Sequence, residues 1–154
     1  MSTEHDVEHR RAADEYVRRL LRAVGGHIGL LSIFDGDRQL FLGADGLPDP
    51  AAREIPLLES FCKYIKDHGC QLIVDDVQQE TRVASHPLIT ELAVQAYAGW
   101  QVTGNDGEVV GVLCAMDDAP HHWTSGEITS LMELAHECGP TVRAAAAAQS
   151  GSAV

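Results

Sequence analysis

The chain has 154 residues, 45% of them hydrophobic and 22% charged, a balance typical of one soluble globular domain. Its 11 lysines and arginines are outnumbered by 23 aspartates and glutamates, for a formal net charge of −12. Because an acidic surface repels phosphate groups, we expect neither nucleic acid nor an anionic membrane as a partner. No apolar run approaches the roughly 20 residues of a membrane-spanning helix. The N-terminus also lacks the apolar segment of a secretory signal, so we expect a cytoplasmic protein.

The first predicted element is an amphipathic helix within the N-terminal segment, residues 1–24. Its apolar residues recur at helical spacing along residues 10–24, and Gly25-Gly26 ends the pattern. Such a stripe needs a partner, which is either the domain's own sheet or a second chain. The stripe consists of Ala13, Tyr16, Val17, Leu20, Leu21 and Val24.

Apolar runs and turn signals predict two strand hairpins and one further strand. The most continuous apolar runs, residues 28–33 and 109–116, are expected at the centre of the sheet because they suit strands covered on both faces. Residues 44–56 contain three prolines and are predicted to be a loop. The predicted strands are residues 27–34, 38–43, 71–75, 96–102 and 109–117.

Three further helices are predicted from apolar spacing and capping residues: residues 57–68, 87–94 and 125–138. Gly69 is expected to end the first, and Thr124 or Ser125 to cap the last. Gly139-Pro140 is expected to break or kink the last helix before an alanine-rich C-terminal tail, residues 144–154. This order of elements predicts an α+β domain with an antiparallel sheet. Its expected core includes Leu30, Phe61, Ile65, Leu113, Ile128, Leu131 and Ala135.

Several short motifs give the chain a family resemblance. In their order and spacing they resemble the GAF domains found beside histidine kinases, diguanylate cyclases and PP2C-type phosphatases. The resemblance implies a PAS-like sheet of five or six antiparallel strands between helical layers, which we assign to residues 25–143. It further implies a stand-alone sensory or regulatory module in signal transduction. The motifs are Ser60 to Tyr64 (SFCKY), Leu72 to Asp76 (LIVDD), Ala96 to Gly99 (AYAG), Asp106-Gly107, Gly111 to Asp117 (GVLCAMD) and Trp123.

The resemblance also implies where a small molecule would bind. Ligands of this family lie between the sheet and the crossover segments, and an apolar cavity with a few polar groups suits them. A filled core without a cavity is the alternative, and it would leave a purely structural dimerisation module. The identity of any cofactor stays open, although an aromatic content of 5% disfavours a large flat chromophore. The implied site residues are Phe61, Ile65, Asp75, Val77, Leu88, Tyr97, Gly99 and Met116.

The four cysteines offer a second, catalytic interpretation. Cys62, Cys70, Cys114 and Cys138 form no CxxC pair, and small buried thiols are the simplest expectation. The alternative is a cysteine-dependent redox enzyme or redox sensor, because the GAF family resembled here includes a branch of free methionine sulfoxide reductases.

Other catalytic or metal chemistry has weaker support in the sequence. Asp117, Asp118, His121 and His122 could offer oxygen and nitrogen ligands to a metal, but a solvated loop is the simpler interpretation. Asp75-Asp76 cannot act as paired carboxylates, because adjacent strand residues point to opposite faces. No nucleophile elbow or phosphate loop is present. We therefore expect neither an enzyme nor a metal site.

The expected assembly is a homodimer held by the terminal helices, residues 10–24 and 125–138. Side-by-side helices can pack with a symmetry mate as a four-helix bundle. A signalling protein partner acting in trans is also expected for a stand-alone module.

Overall fold

Six strands form one antiparallel sheet in the order β3-β2-β1-β6-β5-β4. The computed structural model describes residues 3–49, 53–56, 60–81, 83 and 93–151. The strands are β1 (Ile28–Asp35), β2 (Arg38–Asp45), β3 (Glu54–Pro56), β4 (Leu72–Val74), β5 (Ala96–Thr103) and β6 (Val109–Asp117). The helices are α1 (Thr3–Val24), α2 (Cys62–His68), α3 (Ser125–Glu137) and α4 (Gly139–Gly151), with a 3-10 turn at Val77–Gln79.

The predicted α+β architecture with an antiparallel sheet of five or six strands is confirmed, and the described residues form six. The two most apolar strands, β1 and β6, lie at the centre and pair with Leu31 opposite Leu113. Because side chains alternate along a strand, each central strand supplies residues to both faces of the sheet. Helices α1, α3 and α4 cover one face, and α2 packs against the other.

One strand was missed by the sequence analysis. The predicted loop, residues 44–56, contains the short strand β3, which pairs with β2. Its last residue, Pro56, lies opposite Arg38 at the edge of the sheet. A proline has no N–H to donate but is tolerated on an edge strand. The three prolines of this segment therefore led to the prediction of a loop where a short edge strand is present.

Helix α1 uses its apolar stripe on its own domain. Ala13, Val17, Leu20 and Val24 are buried, and α1 contacts β1, β2 and α3. Gly43 permits the close approach, since a Cβ there would lie 2.5 Å from the carbonyl carbon of Ala13. Of the two partners considered for this stripe, the structure provides the domain's own sheet.

Most of the predicted core residues are buried, and one is not. Leu30, Phe61, Ile65, Leu113, Leu131 and Ala135 are at most 4% exposed. The prediction for Ile128 is wrong, because this side chain is only partly buried. Ile128 lies in the first turn of α3 and lines an open groove with Ile73 and Trp123.

The helix signals behave largely as predicted. Thr124 caps α3 in a capping box with Glu127, and Gly69 ends α2 with a positive φ of 68°. Helix α3 ends at Glu137 with Cys138 as its C-cap, and α4 begins at Gly139. Pro140 is accommodated because it falls in the first turn of the new helix. The predicted helix over residues 87–94 falls largely outside the described residues.

Helix α4 crosses the boundary that the sequence analysis placed at residue 144. It buries Val142 and Ala145 in the same core as α1 and α3. Within the part of the chain that the structure describes, no helix combines the length and apolarity needed to cross a bilayer.

Candidate functional site

The α2 side of the sheet brings together most of the implied ligand-site residues. Phe61, Ile65, Val77, Tyr97 and Met116 are at most 2% exposed and belong to one buried cluster. The sheet supplies the floor of this cluster, and the start of α2 with the 3-10 turn supplies its cover. The remaining members are Ile28, Leu30, Phe41, Cys62, Leu72, Val74, Val83, Val94, Val112 and Cys114.

Gly99 lies beside this cluster and leaves space in it because glycine has no side chain. A Cβ at Gly99 would lie 2.5 Å from Tyr97 Oη and 2.8 Å from Ile65 Cδ1. The phenol of Tyr97 therefore lies over the bare backbone of Gly99, and its ring meets Phe61 edge-on with centroids 5.0 Å apart. The glycine makes room for a tyrosine that reaches the centre of the face.

The other two implied residues are not part of this cluster. Asp75 lies at the end of β4, where its carboxylate contacts His122 Nδ1 at 2.9 Å and accepts from the Trp123 backbone N–H at 3.3 Å. It ties the loop before α3 to the edge of the sheet. Leu88 lies outside the described residues.

Sequence analysis missed a buried polar network at the centre of this apolar face. Gln39 Nε2 donates to Ser32 Oγ at 2.8 Å and to Cys62 Sγ at 3.4 Å. Tyr97 Oη lies 3.2 Å from Cys62 Sγ, and the Cys62 backbone N–H donates to Ser60 Oγ at 3.0 Å. Strand alternation was the available signal, because Ser32 follows Leu30 and Gln39 precedes Phe41 on the inward side.

The network gives Cys62 an unusual acidity for a buried thiol. Its neighbour Cys114 is the largest cause of a lowered pKa, and Tyr97, Ser60 and Gln39 assist against the cost of burial. Together they bring the pKa of Cys62 to about 7. The pKa of Cys114 is raised, first by its hydrogen bond with Cys62 and then by burial. Burial likewise raises the pKa of Tyr97, which remains a neutral donor.

Two side-chain amides on this face each have a buried oxygen without a hydrogen-bond partner among the described residues, Gln39 Oε1 and Gln101 Oε1. Val112 lies in register with Ser32 on one side and with Gln101 on the other, so these side chains share the α2-side face. An unsatisfied buried acceptor costs about 1–3 kcal/mol, which makes the pair notable in a well-packed core.

The histidine-rich loop after β6 serves structure in the described part of the chain. His121 contacts Asp117 Oδ2 at 3.2 Å and Glu127 Oε1 at 3.1 Å, whereas His122 turns to Asp75. Among residues 3–49, 53–56, 60–81, 83 and 93–151, no group of three or more histidine, cysteine, aspartate or glutamate side chains is arranged to hold a metal ion.

Comparison with known proteins agrees with this architecture. The sequence model for the GAF domain matches residues 8–142, which is most of the chain. The chain belongs to the GAF domain family. No curated protein matches the chain closely.

Solved structures share the fold at low identity. The blue-light-absorbing PixJ GAF domain of Thermosynechococcus elongatus has a TM-score of 0.76 and 14% identity, over 99% of this chain and 95% of that one. The GAF domain of an Acinetobacter phosphoenolpyruvate-protein phosphotransferase has a TM-score of 0.73 and 16% identity, over 94% and 91%. A type II free methionine-R-sulfoxide reductase from Thermoplasma acidophilum has a TM-score of 0.73 and 14% identity, over 90% and 94%. These TM-scores, at 14–16% identity, establish a common fold and no more.

Proposed function

We propose that the chain is a regulatory GAF module that binds a small molecule carrying hydrogen-bond donors on the α2-side face of the sheet. The observation that carries this proposal is the pair of buried amide oxygens without partners, Gln39 Oε1 and Gln101 Oε1. A ligand N–H or O–H would satisfy them and recover the cost of their desolvation. Apolar side chains on the same face, Phe61, Ile65 and Met116, would contact the nonpolar part of such a ligand.

The fold supports a route for the signal. Helix α2 covers the proposed site, while the terminal helices α1, α3 and α4 cover the opposite face. The central strands β1 and β6 contribute residues to both faces, so a shift of these strands on binding reaches the terminal helices. We propose that those helices pass the state to a protein partner in trans.

We further propose that the same helices hold a homodimer. Helices α1, α3 and α4 contact one another on one face, which supports a bundle with a second copy. The inner stripe of α1 is already used on the sheet, so this interface has to use outer ridges such as those of Val7 and Met132, 47% and 37% exposed. Light scattering of the intact chain at tens of micromolar tests this: a dimer mass is expected, and a monomer mass ends the proposal.

Binding without turnover is the function proposed. A methionine sulfoxide reductase has to seat a whole amino acid against its sulfur, a far bulkier reactant than a peroxide, and Cys62 and Cys114 are 2% and 0% exposed. The likeness to a methionine sulfoxide reductase, at 14% identity, is one of fold alone. We therefore expect no reduction of free methionine sulfoxide by the purified chain with a thiol reductant. Turnover that disappears in Cys62→Ser or Cys114→Ser would replace this proposal with the enzymatic alternative.

Native mass spectrometry of the chain purified from its own host tests the binding proposal. We expect a small-molecule adduct that is retained about two- to tenfold less in Gln39→Met and in Gln101→Met, because each removes one acceptor worth about 0.5–1.5 kcal/mol. Methionine keeps the side-chain length of glutamine. The exposed Gln78 offers the matched control, Gln78→Met, which should retain the adduct. An adduct unaffected by all three substitutions would place the ligand elsewhere.

A further inference from the structure

We propose that Cys62 and Cys114 form a reversible disulfide in response to peroxide, in addition to the binding function of this face. Cys62 is the first residue of α2, and Cys114 lies in the middle of the central strand β6. The two thiols, from different layers of the fold, belong to one buried cluster and meet at Tyr97, whose hydroxyl lies 3.2 Å from Cys62 Sγ and over Gly99, the register partner of Cys114. A bond between them would join the covering helix to the sheet.

The local packing explains why the two thiols are neighbours. Cys114 lies in register between Leu30 of β1 and Gly99 of β5. Since Gly99 has no side chain, Tyr97 crosses the space above it and delivers its hydroxyl to Cys62 Sγ at 3.2 Å. Both cysteines belong to the same buried cluster.

The polar groups around Cys62 suit a reactive sulfur. Gln39 Nε2 and Tyr97 Oη are positioned to donate to Sγ, and such donors stabilise a thiolate. The pKa of Cys62, about 7, agrees with this geometry. Cys138 is the internal contrast: it is buried without these donors, gives its own S–H to the Ala135 carbonyl, and burial raises its pKa to about 12.

The chemistry is a two-electron oxidation of the dithiol by a peroxide. The Cys62 thiolate attacks one peroxide oxygen, the O–O bond breaks, and the departing oxygen leaves as water or alcohol after taking up a proton. This leaves a sulfenic acid on Cys62. The sulfur of Cys114 then attacks Cys62 Sγ, the S–O bond breaks, and the hydroxyl leaves as water with the Cys114 proton. A thiol reductant reverses the reaction by exchange.

Oxidation would also change the binding face. A disulfide sulfur carries no charge and is a weak acceptor, so Gln39 Nε2 and Tyr97 Oη would lose their anionic partner. The start of α2 would be tied to β6, and the polar network beneath it would rearrange. Oxidation would therefore alter the face that the proposed ligand contacts.

The test is peptide mapping of the intact chain after hydrogen peroxide treatment and alkylation of the remaining thiols. We expect the protein to lose two hydrogen atoms in mass and to yield one cross-linked peptide pair containing Cys62 and Cys114. A reductant should restore the original mass. Mapping the wild-type chain requires no variant to fold, so the proposal is testable even if a core substitution destabilises the protein.

Matched variants identify the pair. The double variant Cys70→Ser/Cys138→Ser keeps both proposed partners and should form the disulfide to the same extent as wild type. Adding Cys114→Ser to it should reduce the disulfide to background and leave Cys62 as a sulfenic acid that a dimedone-type reagent traps. Oxidation confined to Cys70, with Cys62 and Cys114 recovered as alkylated thiols, would overturn the proposal. Ligand retention in native mass spectrometry is a separate readout, so either proposal can fail alone.

Discussion

The imidazole of His121 stacks on the indole of Trp123, with ring centroids 3.8 Å apart and 19° between the planes. Both ring nitrogens of His121 face carboxylates, Asp117 Oδ2 at 3.2 Å and Glu127 Oε1 at 3.1 Å. A neutral imidazole has one donor, so satisfying both carboxylates requires the doubly protonated ring. The positive ring then also gains from lying over the indole face.

This arrangement predicts how stability depends on pH. Burial alone would lower the pKa of His121, but its bonds to Glu127 and Asp117 raise it above 6.5. A raised histidine pKa stabilises the fold fully below the unfolded value and is lost as the pH rises through the folded value. We therefore expect the free energy of unfolding in urea to fall by about 1 kcal/mol between pH 6 and pH 8.5.

The variant His121→Gln should lack most of that slope. His122 provides the control, because its side chain is 84% exposed and its carboxylate contact is with Asp75, so His122→Gln should keep the wild-type slope. An equal slope in all three proteins would contradict the assignment.

On the acid side, the lowered pKa of Glu127 gives stability that is present above pH 4.5 and is lost as the pH falls through its folded value.

The capping box predicts a cost at the start of α3. Thr124 Oγ1 accepts from the Glu127 N–H at 3.1 Å, and Glu127 Oε1 accepts from the Thr124 N–H at 2.9 Å. Thr124→Ala should lower the free energy of unfolding by about 1 kcal/mol, because one helix N–H loses its partner. Thr124→Ser should retain most of the stability. The two variants unfolding at the same urea concentration would show that the hydroxyl does not cap the helix.

The core assignment predicts a contrast between two apolar residues. Leu113 is fully buried in the central strand, whereas Ile128 is partly exposed beside an open groove. Leu113→Ala should cost about 2–5 kcal/mol through lost transfer energy and a residual cavity, and Ile128→Ala clearly less. Chemical denaturation measures both. A loss under about 1 kcal/mol for Leu113→Ala would mean that the strand face is misassigned.

The close approach of α1 to the sheet predicts the effect of one added methyl group. A Cβ at Gly43 would lie 2.5 Å from backbone and 2.7 Å from the Cβ of Ala13. Backbone cannot yield as a flexible side chain can, so Gly43→Ala should cost about 1–3 kcal/mol and speed amide exchange in α1. Gly126→Ala is the control, because its Cβ would meet only ordinary contact at 3.9 Å. Unchanged exchange in α1 would show that the helix does not pack this closely.

The sequence predicted the elements that local patterns encode. The continuous apolar runs placed β1 and β6 at the centre, and Gly69 and Thr124 marked helix ends that the structure has. Edge strand β3 escaped because its few residues carry no alternating pattern and end in a proline. Ile128 was misjudged because helix periodicity gives a face and not its depth at the end of the helix.

Strand alternation places Ser32 and Gln39 on the inward side, but it does not encode the contacts that join them into a network. Ser32 and Gln39 meet through a register shift between Leu31 and Ser32, and Cys62 reaches them from a separate helix. Within one strand, a lone Gln39 looks like an ordinary solvent-facing residue. Resemblance to the family predicts a ligand site on this face of the sheet, but it does not single out the two amides whose oxygens lack partners.

The central claim is that Gln39 Oε1 and Gln101 Oε1 receive donors from a bound small molecule. A high-resolution crystal structure of the chain purified from its own host tests this most directly. The account predicts non-protein density larger than a water, with a donor atom at about 3 Å from at least one of these oxygens. Water or protein groups satisfying both oxygens, with no other density on the α2 side of the sheet, would contradict it.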